Sequence, residues 1–190
     1  MTSAGRRRGR ATAAPGGVRR KPTKKGVPMA GEFRVVVAKD FLKFSAGHFM
    51  AYRGFRERLH GHNYQVSVAI SGGVGADGYV IDFGVVKQLT KDICADLDER
   101  MLVPTESDCL TVSHEGPSVV LVYEDGARFV FPATDVALLP IVHVSAEELA
   151  AYVLRRLRAG LKGHAVRGLS EIEVGVGEAP GQAAYCRERF

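Results

Sequence analysis

The sequence predicts an α+β domain, an antiparallel sheet with two helices on one face. Three observations carry that reading. Residues 63–72, NYQVSVAISG, alternate apolar Tyr64, Val66, Val68 and Ile70 with Gln65, Ser67 and Ala69, the period of a half-buried antiparallel strand. Residues 85–102 and 145–161 repeat apolar residues at helical spacing. Asp125-Gly126 lies between two apolar runs, a strong short-range hairpin signal.

Taken in order, EFRVVVAKDFLKF at 32–44 is rich in β-branched and aromatic residues and reads as the first strand. The alternating segment 63–72 is the second. Gly73, Gly75 and Gly78 then satisfy GxGxxG, but the extended YVIDF follows where a dinucleotide site requires a helix, so they read as a hairpin turn. Asp82 reads as the cap of the first helix, with Val85, Leu89, Ile93 and Leu97 four residues apart. Residues 103–142 contain the hairpin VVLVYEDGARFVF. Ser145 caps a second helix through Leu149, Val153, Leu154 and Leu157, stopped near Gly160. GLSEIEVGVGE and AAYCRERF read as two closing strands.

A length of 190 residues with 46% apolar content is enough for one domain with a buried core, taken as 29–190. No run approaches the roughly 20 apolar residues of a membrane-spanning helix. The formal charge of +5 points toward polyanions until it is divided along the chain. Residues 1–28 hold nine basic groups and no acid, and the remainder carries 17 basic against 21 acidic residues. The basicity therefore belongs to a tail whose composition predicts disorder. A solvated tail, or a start at Met29, is preferred over a nucleic-acid arm or an organelle address. The three cysteines, Cys94, Cys109 and Cys186, form neither a disulfide framework nor a CxxC knuckle, which suits a reducing cytoplasm.

The strongest chemical signal is His60-Gly61-His62 with His48 twelve residues upstream. Strand residues two apart share a face, so His60 and His62 can aim at one point, and a histidine on the neighbouring strand would complete a half-shell. Three neutral imidazoles suit Zn²⁺ and leave a coordination position open. His114, His143 and His164 read as scattered surface histidines. Glu178, in GVGEAPG at a strand end, could accept two parallel hydrogen bonds from a guanidine-like edge.

FSAGH at 44–48, RLHGHNY at 58–64, GYVIDFGVVK at 78–87, LDERML at 97–102, SAEELA at 145–150 and VGEAPG at 176–181 together resemble the 6-pyruvoyl-tetrahydropterin synthase family, which includes the 6-carboxytetrahydropterin synthases of queuosine biosynthesis. The resemblance covers residues 33–190. It implies the tunnelling fold, a four-stranded antiparallel sheet with two helices on one face, here with an inserted β-hairpin at about 103–142. It also implies homo-oligomers, hexamers by resemblance, with active sites between subunits. Zinc on His48, His60 and His62 is implied, with a pterin held by Glu178 and by the segment Ser145, Ala146, Glu147.

Two departures touch the chemistry. Family lyases carry a cysteine base four residues before the first histidine of H-G-H, where this chain has Arg56. They also carry Leu-Asp-His after the first helix, where this chain has Leu97, Asp98, Glu99. Arginine stays protonated and cannot be a general base. Glu57, beside the lost cysteine, or Glu99, raised by Asp98 if both are buried, could replace it. Some relatives use a glutamate there and cleave the pterin side chain. Arg56 is then free to hold a substrate phosphate or carboxylate. The expected activity is that of a cytoplasmic zinc-dependent lyase converting 7,8-dihydroneopterin triphosphate. The alternatives are side-chain cleavage to 6-hydroxymethyl-dihydropterin, or zinc and pterin binding without turnover. Neither a membrane nor a nucleic acid is an expected partner.

Overall fold

A computed structural model describes residues 31–164 and 168–190, so the basic segment 1–28 lies outside the described residues. The chain opens with β1 (Phe33–His48), which runs four residues beyond the expected 32–44, followed by the short hairpin β2 (Ala51–Tyr52) and β3 (Phe55–Arg56), then β4 (His60–Gly72). Helix α1 (Phe83–Leu97) follows, then β5 (Arg100–Pro104), β6 (Leu110–Glu115), β7 (Ser118–Tyr123), β8 (Arg128–Pro132) and β9 (Val136–Leu139). Helix α2 (Ala146–Leu161), β10 (Leu169–Ala179) and β11 (Gln182–Arg189) complete it.

The main sheet has the order β11-β10-β4-β1-β5-β9. The predicted four antiparallel strands form its centre and one edge, and two further strands, β5 and β9, extend it in parallel with β1. Both helices pack on one face of the sheet, with Val86 and Ile93 of α1 and Leu149 and Val153 of α2 in one core with Leu42, Phe44, Val66, Val68 and Ile172. This is the predicted tunnelling fold with a wider, mixed sheet. The extra strands escape a period-2 search because both their faces are covered. Met101, Val103 and Val136 face one core, while Leu102, Ala137 and Leu139 face the other.

Three further differences have local causes. The glycine segment 73–78 is no hairpin turn: β4 ends at Gly72 and the chain passes through it, with no second strand, to α1, whose cap is Asp82, accepting from Gly84 N at 2.6 Å. Helix α1 stops at Leu97 instead of running on to 102 because Asp98 and Glu99 are captured by β1. Asp98 Oδ1 accepts from Ser45 N at 2.7 Å, and Glu99 N donates to Ser45 O at 2.7 Å, with Glu99 held at φ 56°. The expected inserted hairpin is a three-stranded antiparallel sheet, β6-β7-β8, turning at Gly126 (φ 86°) between β7 and β8. Its apolar face closes a second core with Phe49, Met101, Val103, Leu121 and Phe129.

The pairing of β1 with β4 fixes what matters for function. A bulge between Ala38 and Lys43 is bridged by Gln65 Nε2, which donates to the carbonyls of Lys39 and Leu42. Beyond it the register holds to the strand ends, pairing Ala46 with His62, Gly47 with Gly61 and His48 with His60. At Gly61 a Cβ would stand 2.9 Å from the Ala46 carbonyl oxygen, so the strands approach closely only because no side chain is there. Gly61→Ala is therefore expected to lower the unfolding free energy by about 1–3 kcal/mol, as an overpacked site does, measurable by urea denaturation.

Candidate metal and ligand site

His60 and His62 stand on one face of β4, and His48 meets them from β1, with ring centroids 4.5 to 5.1 Å apart. Their ligating nitrogens all lie within 4.8 Å of one another. Each ring held by the backbone is held on its inner nitrogen. His48 Nδ1 lies 2.9 Å from the Val144 carbonyl, and His60 Nδ1 lies 2.8 Å from that of Arg58. Those contacts fix the Nδ1–H tautomer and turn both Nε2 lone pairs outward, the arrangement that orients histidine ligands of metals. His48 is 2% exposed, and its Nε2 is buried with no hydrogen-bond partner. Burial also pushes its pKa down, which favours the neutral, ligating form. An orphaned lone pair facing two further imidazoles fits a divalent transition ion better than it fits a packed core.

The histidines open onto a cavity of about 370 Å³ that Glu57, Ser145, Glu147, Glu178 and Gln182 also line. Glu57 follows β3, where its backbone N donates to Met50 O at 2.9 Å and its Oε2 accepts from Met50 N at 3.0 Å. Ser145 caps α2 by accepting from Glu148 N at 3.2 Å, so Glu147 enters the site on the first turn of that helix. Glu178 sits where the β10–β11 register shifts between Gly177 and Ala179. It borders both this cavity and an adjoining one of about 700 Å³, floored by Gly175, Gly177 and Tyr185.

The remaining expected residues lie elsewhere. Arg56 does not line the cavity. Its guanidinium lies 5.1 to 5.9 Å from the ring centroids of Phe129, Phe49 and Tyr123, so the expectation that it holds a substrate anion is replaced by a packed position under the inserted sheet. Adjacent residues of a strand face opposite ways, and here Glu57 turns to the histidines while Arg56 turns from them. Asp98 spends its carboxylate on Ser45. Glu99 borders a neighbouring cavity of about 590 Å³ that shares His60 and His62 but not Glu57. No cysteine lines any of the three cavities. Cys94 is in the core with its thiol pushed up to about 12 by burial, and Cys109 packs in the second core, as a small buried residue does.

Two neighbours escaped the sequence reading. Tyr64 continues the face of His60 and His62, stacks on Phe44 and buries its hydroxyl without a partner; the i, i+2, i+4 pattern contains that signal. Gln182 reaches the cavity through the β10–β11 turn, which Pro180-Gly181 marks in the sequence, but no local pattern marks its side chain as a site residue.

Among the described residues, no helix is long and apolar enough to cross a membrane. Comparison with known proteins agrees with the geometry. The family model described as 6-pyruvoyl tetrahydropterin synthase matches residues 37–189. A putative 6-carboxy-5,6,7,8-tetrahydropterin synthase of Methanocaldococcus jannaschii is 31% identical over 148 residues, covering 77% of this chain and 90% of that protein. The crystal structure of 6-pyruvoyl tetrahydropterin synthase from Plasmodium vivax superimposes with a TM-score of 0.81 at 34% identity, covering 84% of this chain and 99% of that one. A variant of the P. vivax protein, with the same scores and coverage, replaces by alanine a glutamate described as a catalytic residue. The chain belongs to the 6-pyruvoyl tetrahydropterin synthase family.

Proposed function

We propose that this protein is a zinc enzyme that cleaves the three-carbon side chain of a 7,8-dihydroneopterin, as the triphosphate or a close relative, with Glu57 as the general base. The observation that carries the reading is that Glu57 lines one cavity with His48, His60, His62 and Glu178, where no thiol is present. The glutamate described as catalytic in the P. vivax relative supports a catalytic role for a carboxylate in this family. His48, His60 and His62 would hold the ion, whose chemistry when bound is that of a Lewis acid lowering the pKa of a side-chain oxygen.

The protein's own groups supply the rest. Glu178 accepts from the guanidine-like edge of the pterin and sets the ring so that its side chain reaches the histidines. Oε2 of Glu57 is engaged by Met50 N, which leaves Oε1 for the substrate. Glu57 takes the proton from the hydroxyl of the second side-chain carbon. The bond between the first and second carbons breaks, and the second becomes an aldehyde carbonyl. The electron pair passes into the ring system and returns to the first carbon with a proton, leaving 6-hydroxymethyl-dihydropterin. A carboxylate suits this step because the proton leaves an oxygen; removal from carbon asks for a stronger base.

A second reading, synthesis of a 6-carboxy or 6-pyruvoyl pterin, is favoured by the names of the curated relatives. Incubation with dihydroneopterin triphosphate and mass spectrometry separates the two. The expected product is 6-hydroxymethyl-dihydropterin, while 6-carboxytetrahydropterin would establish the second reading. Unchanged substrate beside measurable pterin affinity would reduce the protein to a binding module.

Glu57→Gln is expected to lower kcat by about 10²- to 10⁴-fold, the range of a lost general base, with metal content unchanged by elemental analysis. Dialysis against a strong chelator should abolish turnover, Zn²⁺ should restore it, and His48→Ala should block that restoration.

A further inference from the structure

We propose that the inserted sheet β6–β8 is a brace for the hairpin that carries the base, and that Arg56 is the positioning residue through which it holds Glu57; this rests on the reading of Glu57 as the base. Four contacts join brace and hairpin. Tyr123 Oη donates to Tyr52 O at 3.0 Å, and Glu124 accepts from Gly54 N. Arg53 Nε donates to Asp108 at 3.1 Å. The fourth is the Arg56 guanidinium, in a cage of Phe49, Tyr123 and Phe129, two of whose rings come from the insert. Phe49 and Phe129 stack at 4.9 Å to build one wall.

The chemistry of the cage points to position instead of ligand binding. Arginine keeps its charge in any protein environment, and ring faces attract a planar cation. The Nε is buried with no hydrogen-bond partner, so the stem is committed to the rings and offers no donor there to a phosphate or carboxylate. Nη1 donates at 2.9 Å to the carbonyl of Glu57 itself. One side chain thus ties the peptide of the base to the insert. The carboxylate of Glu57 and its N–H close a ring with Met50, on the far side of the same hairpin. From the α2 side, His143 Nδ1 meets Ala51 O at 3.0 Å. The base is therefore held in place by its backbone, which is what a reaction sensitive to misplacement of an ångström requires.

Steady-state kinetics and hydrogen exchange on the full-length protein test the proposal. Arg56→Met keeps the stem but removes the planar cation, and should lower kcat by roughly 10- to 100-fold while KM and metal content stay within about twofold. Arg56→Lys, which keeps charge and donor, should recover part of that loss. In a Glu57→Gln background Arg56→Met should cost nothing more, because it acts through a group already removed. Amides of 50–57 should exchange faster in Arg56→Met while those of β4 keep their protection. Phe129→Leu, which opens the cage without touching the arginine, should repeat these effects more weakly and serves if Arg56→Met does not fold. Unchanged kcat in Arg56→Met, a dominant rise in KM, or a full further loss in the Glu57→Gln background would overturn the inference while leaving Glu57 as the base. Wild-type turnover in Glu57→Gln alone would overturn both.

Discussion

Everything at the site depends on one constraint, the antiparallel register that sets His48 opposite His60. A strand has a side-chain period of two, so a slip of a single residue would send His60 and His62 to the opposite face and bring Gly61 and Asn63 to the core side. The slip is prevented along the whole length of the strands, because Tyr64, Val66, Val68 and Ile70 share the face of the histidines and are all buried. The same apolar stripe that builds the core thus aims the ligands. Gln65 secures the pairing across the bulge by satisfying two carbonyls that the ladder leaves open. Gly47 and Gly61, paired between the histidine pairs, let the two backbones come close enough for the rings to converge.

The sequence was legible where local pattern and tertiary role coincide. The alternation of 63–72, the caps at Asp82 and Ser145 and the spacing of Leu149, Val153 and Leu157 all led to elements that exist. The histidine trio was legible because strand geometry alone brings residues two apart together. Strands β5 and β9 were not, since a strand covered on both faces shows no alternation. The end of α1 was not, because Asp98 and Glu99 are taken by Ser45, which lies more than fifty residues away. The two adjacent residues Arg56 and Glu57 could not be assigned from sequence, because that requires knowing which way a two-residue strand faces.

The loss of a cysteine at position 56 looks in sequence like a broken site, and the structure gives a different account. Arg56 is well placed for a role that cysteine could not fill, since it is long enough to cross to the insert and flat enough to lie among its rings. The carboxylate beside it occupies the cavity instead. The arginine that stands where the family pattern has cysteine and the segment that follows α1 are in contact, through the rings of Tyr123 and Phe129.

The two hydrophobic cores have a thermodynamic consequence. The core beneath the inserted sheet is separate from the one beneath the helices, and β5 and β9 contribute alternate residues to both. The sheet β6-β7-β8 shares no ladder with the main sheet, so opening it breaks none of the hydrogen bonds that hold β1 against β4. An opening confined to the insert would leave the imidazoles assembled on β1 and β4 while removing the contacts that Tyr123 and Glu124 make to the β2–β3 hairpin.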